Sequence, residues 1–276
     1  ARIGAGVNEL VVVATAVAPD MLSLIDLGDT GLNQIKEMAE FADNPIPLAK
    51  VRLLAPIPRP PRNVMCLGWN YAEHAAESAA TKGLSIKELP EFPIIFTKAT
   101  TSVTGPFADI PYDTAVSTHI DWEAELAVII GPPGKNISRN QAMRHVYGYT
   151  VLNDLSARDL QRNHKQFFKG KSLDGHCPIG PWIVTADEIP DPQNLTIASR
   201  VNGVTKQESS TSHMIFDIPG IIAQLSRGMT LLPGDIIATG TPSGVGFART
   251  PPEYLKPGDI VECEVGGIGL IRNQIG

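Results

Sequence analysis

Apolar, β-branched residues recur along the chain in short runs separated by Gly, Pro, Asn and Asp, a pattern typical of strands joined by turns. Beyond residue 62, such runs predict strands at residues 63–67, 94–97, 123–130, 146–152, 182–185, 195–201, 235–239 and 260–265. Helical spacing is confined to short segments, at residues 71–80, 138–145, 157–163 and 218–227. The pattern predicts an α+β fold that is dominated by strands.

The N-terminal region has a different pattern. Residues 9–17 and 21–25 predict two strands, and residues 31–41 carry the apolar spacing of a helix. Six prolines then fall between residues 44 and 62, where they remove backbone donors and break regular elements. We therefore expect a small N-terminal α/β domain with its Pro-rich linker at residues 1–55, and a larger domain at residues 56–276.

Composition narrows the class of protein. The chain has 276 residues, of which 43% are hydrophobic and 19% charged, as in ordinary globular proteins. A net charge of -6, without a basic run interleaved with aromatic residues, argues against a nucleic-acid partner. Three widely spaced cysteines suit a reducing compartment, and no apolar run is long enough to span a bilayer. We expect a cytoplasmic protein that binds neither nucleic acid nor membrane.

Two glutamates at the start of one apolar run are candidates for chemistry. Glu123 and Glu125 are two residues apart, so alternation along a strand places both carboxylates on one face. A third carboxylate, Asp154, follows the apolar residues 146–152. Anions side by side stay buried only when a cation or protons compensate them, and an all-oxygen set suits Mg²⁺, Mn²⁺ or Ca²⁺. The alternative is a solvated strand edge with ordinary surface acids.

Five motifs in a fixed order indicate a family. They are GWNYAEH at residues 68–74, DWEAEL at 121–126, NDLSARDLQ at 153–161, GKS at 170–172 and TGTPSGVG at 239–246. Across residues 50–276 this set resembles the fumarylacetoacetate hydrolase family, and within it the short acylpyruvase and oxaloacetate decarboxylase-type members. The resemblance implies a mixed β-roll with a metal site between a sheet and a lid. It also implies a homodimer that acts on a small 2-oxo acid.

The resemblance assigns roles to individual residues. Glu123, Glu125 and Asp154 match the family's metal ligands, for Mg²⁺ or Mn²⁺ with Ca²⁺ as a further candidate. His74 and Glu77 lie three apart on a predicted helix; spacing alone favours a solvated surface pair, but related members have a water-activating pair there. Lys171 matches a lysine that faces the substrate and stabilises an enolate.

Substrate contacts are expected from two further segments. Gln161 matches a substrate-contact position, while Arg158 either contacts substrate or braces Asp154 or Asp159. The Gly-rich turn that contains Gly240 and Thr241 lacks the spacing of a phosphate-binding loop, but its N–H groups could bind a carboxylate. In the family the threonine at Thr241 contacts the substrate acid. A plain turn is the alternative for this segment.

The sequence therefore predicts a divalent-metal-dependent hydrolase that cleaves the C–C bond of a 2,4-dioxo acid, such as an acylpyruvate, to pyruvate and a second acid. In this hypothesis His74, supported by Glu77, activates water, and Lys171 stabilises the departing pyruvate enolate. Oxaloacetate decarboxylation, or isomerisation or hydration of an oxo-diacid, needs the same enolate and is the alternative. A catalytically silent homologue is a further alternative.

We also expect residues 72–91 to form a lid that closes over the bound oxo acid. The segment runs from the helix of His74 into small and polar residues with few core anchors. Closure would bring the histidine to the substrate and exclude bulk water.

Overall fold

The structure is a computed structural model that describes residues 3–7, 9–81 and 90–276. The expected lid therefore lies partly outside the described residues, at positions 82–89. The strands are β1 (Gly4–Val7), β2 (Leu10–Val13), β3 (Ile46–Pro47), β4 (Val64–Gly68), β5 (Ile94–Lys98), β6 (Val103–Thr104), β7 (Ile120–Asp121), β8 (Ala124–Ile130), β9 (Val146–Asn153), β10 (Ser156–Ala157), β11 (Cys177–Thr185), β12 (Thr196–Val201), β13 (Val204–Ser210), β14 (Ile236–Ala238), β15 (Ile260–Val265) and β16 (Gly269–Gln274).

The helices are few and short, as the sequence predicts. They are α1 (Met21–Asp26), α2 (Gly28–Glu40), α3 (Ala72–Ala80), α4 (Arg158–Asn163), α5 (Phe168–Lys171) and α6 (Ile218–Ser226). Within the described ranges, no helix is both long and apolar enough to cross a membrane.

Two elements were predicted with the wrong kind of secondary structure. Residues 21–25, predicted as a strand, form α1, because the Asp20 side chain accepts a hydrogen bond from Ser23 N at 2.8 Å and caps the helix. Residues 138–145, predicted as a helix, form turns that end in a 3-10 segment at Ala142–His145. The backbone there bonds at three-residue spacing, from Gln141 N to Ser138 O and from Arg144 N to Gln141 O.

Two sheets build the main body. A seven-stranded sheet has the order β5-β4-β14-β8-β9-β11-β6, with β4–β14 and β6–β11 parallel and the other pairs antiparallel. A four-stranded antiparallel sheet has the order β13-β12-β15-β16. The strand-dominated α+β class with a mixed sheet is confirmed.

Strand β8 lies at the centre of the packing, and all seven of its residues are buried. Leu126 and Val128 point into the core that fills the space between the two sheets. Ala127 and Ile129 belong to the core on the opposite face, which also contains Ile25 of α1. Because both faces are covered, the strand reads as a continuous apolar run rather than an alternating one. The two glutamates at its start are thereby carried into the interior.

The N-terminal strands β1, β2 and β3 form a small antiparallel sheet of their own. Helix α1 nevertheless packs on the seven-stranded sheet, since Ile25 is 2% exposed and shares a core with Val64 of β4 and Ile236 of β14. The division of the chain into domains at residues 1–55 and 56–276 stays a prediction.

A close approach between β9 and β11 gives a test of this packing. A Cβ atom added at Gly148 would lie 2.3 Å from the carbonyl oxygen of Val184, which is backbone and cannot swing away. Gly148→Ala should therefore lower the free energy of unfolding by about 1–3 kcal/mol, measured by chemical denaturation. Gly6→Ala is the matched control, because no atom lies within 4 Å of its added Cβ. Equal stability of the two variants would contradict the packing described.

Candidate metal centre and active site

Three carboxylates meet where β8 and β9 pair. The strands are antiparallel with Ala124 opposite Asn153, and Asp154 N–H donates to the carbonyl of Glu123 at 2.9 Å. This register brings Glu123, Glu125 and Asp154 together, with one oxygen of each within 4.8 Å of the others. All three side chains are buried. We call them the acidic triad.

Two buried lysines compensate part of the negative charge. Lys171 Nζ, from α5, lies 2.7 Å from Glu123 Oε2 and 2.7 Å from Asp154 Oδ2. Lys98 Nζ, at the end of β5, lies 2.6 Å from Asp154 Oδ1 and donates to the carbonyl of Leu155 at 3.1 Å. These carboxylates raise the pKa of Lys171 against the opposing effect of burial.

Arg158 braces the triad from its other side. Its Nη2 lies 2.7 Å from Glu123 Oε1, and its Nε donates to Asp121 Oδ2 at 2.8 Å. The structure thus pairs Arg158 with Asp121 and Glu123, not with the Asp154 or Asp159 named as structural partners from the sequence. Burial opposes ionisation of Glu123, but Lys171 and Arg158 outweigh it and lower the pKa of this carboxyl to about 2.

Among the described residues, no lysine or arginine forms an ion pair with Glu125. Its Oε2 accepts the N–H of Gly240 at 2.7 Å, while its buried Oε1 has no hydrogen-bond partner within the same part of the chain. Burial, and then repulsion from Asp154 and Glu123, raises the pKa of Glu125 well above its ordinary value of 4.5. A hard divalent cation bound to the triad would give the free oxygen a partner and offset this repulsion. The donor set therefore fits a divalent metal ion.

A cavity of about 870 Å³ opens above the triad. Glu123, Arg158, Gln161, Lys171 and Thr241 are on its wall. Gln161 Oε1 accepts from Arg158 Nη1 at 3.2 Å. The hydroxyl of Thr241 donates to the carbonyl of Ala124 and accepts from Gln207 Nε2, each at 2.8 Å.

Gly240 lies behind this wall rather than on it. The sequence assigned it to substrate binding, but its N–H donates to Glu125 instead. Its φ of +99° and a Cβ position 2.7 Å from Asn70 Cβ require glycine here. The turn thus contacts the acidic triad directly, which the Gly-rich sequence did not reveal.

His74 and Glu77 face the cavity from helix α3. His74 is 5% exposed, and its Nδ1 lies 2.9 Å from Glu77 Oε1. The Glu77 carboxylate also accepts the N–H of Gly244, at 3.0 and 3.1 Å from its two oxygens. The buried amide of Asn70 donates to Thr239 O at 2.7 Å and so ties the start of the helix to the same loop. Both residues of the pair therefore have fixed positions.

Lys98 and Asp121 are site residues that the sequence reasoning did not assign. Asp121 is fully buried and accepts bonds from Arg158, Trp122 N, Gly246 N and Phe247 N. Asp121 belongs to the DWEAEL motif, whereas Lys98 directly follows the strand predicted at residues 94–97. The motif was the available signal for Asp121, and the local sequence gave none for Lys98.

Comparison with known proteins identifies the family. The sequence profile described as fumarylacetoacetate (FAA) hydrolase C-terminal matches residues 63–276, more than half of the chain. This protein belongs to the fumarylacetoacetate hydrolase family, as the motifs predicted. It is therefore a member of a family of enzymes.

Several relatives are similar over nearly the whole chain. Oxaloacetate tautomerase YisK of Bacillus subtilis is 46% identical over 264 residues, covering 93% of this chain and 86% of that protein. The solved structure of fumarylacetoacetate hydrolase from Exiguobacterium antarcticum is 41% identical with a TM-score of 0.85, covering 99% of this chain and 94% of that one. Maleylpyruvate hydrolase from Sphingobium, solved with manganese(II) and pyruvate, is 29% identical with a TM-score of 0.81, covering 99% and 95%.

Replacing Glu125 by glutamine should stabilise the metal-free protein and at the same time weaken its binding of a metal ion. The raised pKa of Glu125 means that the folded metal-free protein binds a proton more tightly than the unfolded chain does. The free energy of unfolding therefore falls as pH rises above about 4.5. Glu125→Gln removes this loss, and its melting temperature without metal should exceed that of the unmodified protein at neutral pH. Its affinity for Mn²⁺, measured by calorimetry, should fall at least about 100-fold, the upper range for outer-shell changes.

Glu73→Gln is the control, because Glu73 is exposed and, among the described residues, its carboxylate accepts a hydrogen bond from Ser243 alone. It should change neither quantity. If Glu125→Gln kept normal Mn²⁺ affinity, the metal assignment would be wrong.

Proposed function

We propose that this protein interconverts the enol and keto forms of a 2-oxo acid, with oxaloacetate the first candidate, using a divalent cation on the acidic triad. The observation that carries the proposal is Lys171, a buried cation on the cavity wall within 2.7 Å of two triad carboxylates. The reaction needs a stabilised enolate and one proton carrier, and the cavity offers both. The similarity to an oxaloacetate tautomerase supports this choice.

Enolate stabilisation is divided between the cation and the protein. A Mg²⁺ or Mn²⁺ ion on Glu123, Glu125 and Asp154 would bind the carboxylate and keto oxygens and withdraw electron density from the carbonyl. Lys171 adds a fixed positive charge beside the oxygen that becomes negative, in a buried site where such charges act strongly. Arg158 keeps Glu123 ionised and oriented through its 2.7 Å contact.

Proton transfer falls to His74. Its Nδ1 is bonded to Glu77, so Nε2 is the nitrogen available to substrate. The imidazole takes the hydroxyl proton of the enol and delivers a proton to C3, so that the net reaction moves one proton from oxygen to carbon. Glu77, fixed by Gly244, orients the ring and stabilises its charged form.

Cleavage of a 2,4-dioxo acid is the second candidate. The observation that favours it is the same His74–Glu77 pair, because a histidine oriented by a carboxylate can also remove a proton from water. Hydroxide attack at C4 and rupture of the C3–C4 bond would give pyruvate, after protonation of its enolate, and a second acid. The similarity to a maleylpyruvate hydrolase is consistent with this chemistry. A homodimer and a cytoplasmic location stay predictions.

His74→Ala should lower the catalysed conversion of enol to keto oxaloacetate by roughly 10²–10⁴-fold, the usual loss on removal of a general acid–base group. The rate is followed by the decay of enol absorbance. Mn²⁺ binding should be unchanged, because His74 is not a ligand. Glu77→Gln should lose less, since it keeps a side-chain oxygen near Nδ1. A His74→Ala enzyme as fast as the unmodified one would disprove the role.

Pyruvate release separates the two candidate reactions. The unmodified enzyme is given acylpyruvates with and without EDTA, and oxaloacetate under the same conditions. If the enzyme tautomerises oxaloacetate but releases pyruvate from none of the acylpyruvates, the result supports the first candidate alone. EDTA should abolish either activity, and activity that survives full metal removal would contradict both.

A further inference from the structure

The cavity above the triad is lined by more cations than anions. Among the described residues, the cations on its wall are Arg158, Arg162, Lys165, Lys171 and Arg249, and the carboxylates are Glu77 and Glu123. Such an excess attracts an anion and concentrates it at the site. Three of these cations, Arg162, Lys165 and Arg249, have no place in the proposed reaction.

The partners of these cations divide them into two groups. Lys171 and Arg158 are held by buried carboxylates, and Arg249 donates to the carbonyl of Lys206 at 2.8 Å and lies 3.8 Å from Glu253. Arg162 and Lys165 are exposed and make no ion pair or side-chain hydrogen bond within the described part of the chain. The uncommitted positive charge of the cavity is therefore concentrated at these two residues.

Helix α4 sets the distance of this pair from the triad. Arg158 begins the helix beside Glu123, and Arg162 follows four residues later on the same face. At a rise of about 1.5 Å per residue, Arg162 lies about 6 Å further along the helix. Lys165 follows just beyond the C-cap residue His164. The cations thus lead outward from the metal ligands, with the uncommitted pair at the outer end.

The backbone of Lys165 is unusual. Its φ is +60°, in the left-handed region, at a position after a helix where glycine or asparagine is the usual residue. The other described non-glycine residues with positive φ are Glu9, Trp69, Asn136 and Asn202, and none of them directly follows a helix. A lysine kept in this conformation on a cavity wall indicates a use for its side chain.

We propose that Arg162 and Lys165 form an outer carboxylate-binding subsite. It binds the far carboxylate of a 2-oxo dicarboxylic acid whose 2-oxo-carboxylate end lies at the acidic triad. The one-turn separation from Arg158 suits an acid longer than oxaloacetate, so that the enzyme also acts on extended oxo-diacids. The orientation of the ligand rests on the proposed function, whereas the position of Arg162 and Lys165 on the cavity wall does not.

Two ligands of equal length test the subsite. 2-Oxoadipate ends in a carboxylate and 2-oxohexanoate in a methyl group, while both carry the same 2-oxo-carboxylate end. On protein saturated with Mg²⁺, calorimetry should show 2-oxoadipate binding about tenfold more tightly, the scale of a charge-assisted hydrogen bond. The double variant Arg162→Gln/Lys165→Gln should lose this preference and keep its affinity for 2-oxohexanoate.

The double variant Lys135→Gln/Arg144→Gln is the charge-matched control. Both residues are exposed and lie outside the cavity lining, so the preference should persist. An unchanged preference in Arg162→Gln/Lys165→Gln, an equal loss for both ligands, or no binding of 2-oxoadipate would overturn the subsite. The test measures binding and not turnover. If the unmodified protein prefers 2-oxoadipate but catalyses no tautomerisation, the proposed reaction is rejected and the subsite is not.

Lys165→Gly gives an independent measurement. Glycine adopts the left-handed conformation without strain, so the variant should melt about 2 °C higher than the unmodified protein. It should nevertheless bind 2-oxoadipate more weakly. A variant that is more stable and binds 2-oxoadipate as well as the unmodified protein would show that the strained lysine has no part in binding.

Discussion

The burial of several carboxylates in one small volume is the constraint on which this site depends. Asp121, Glu123, Glu125 and Asp154 are all buried, and the described cations that contact them are Lys98, Arg158 and Lys171. With every group ionised, one negative charge has no compensation, and it is located at Glu125. Removing such a charge from water is expensive, so the Glu125 carboxyl must either take up a proton or be paired with a further cation. The sheets, the two lysines and the arginine together form a buried acidic site that suits a divalent cation.

Loop 239–246 connects the acidic triad to the His74–Glu77 pair. Gly240 N–H donates to Glu125 of the triad, and Gly244 N–H donates to Glu77, which contacts His74. The same loop accepts the Asn70 amide bond at Thr239, where helix α3 begins. One short stretch of backbone therefore contacts both a triad carboxylate and the carboxylate that orients the imidazole.

The sequence predicted the clustering of the three carboxylates better than it predicted their surroundings. Alternation placed Glu123 and Glu125 on one face, and the family motifs added Asp154. Lys98 was missed because a lysine at the end of a strand is ordinarily exposed, and only the register of β5 against the sheet buries it. Strand β13 and strand β16 were missed because they are edges of the four-stranded sheet, where polar residues face solvent and periodicity is weak. Tertiary pairing, not local preference, determines all of these.

The placement of the triad on neighbouring strands also has a consequence for folding order. All three triad residues belong to β8, β9 and the residues that flank them, so one local strand pairing assembles the complete triad. The imidazole comes from residue 74 and its supporting loop from residues 239–246, which must be brought together across far longer stretches of chain. Short-range pairings form with less loss of chain entropy than long-range ones. The triad can therefore come together before the cavity, whose imidazole and supporting loop join it from distant parts of the chain.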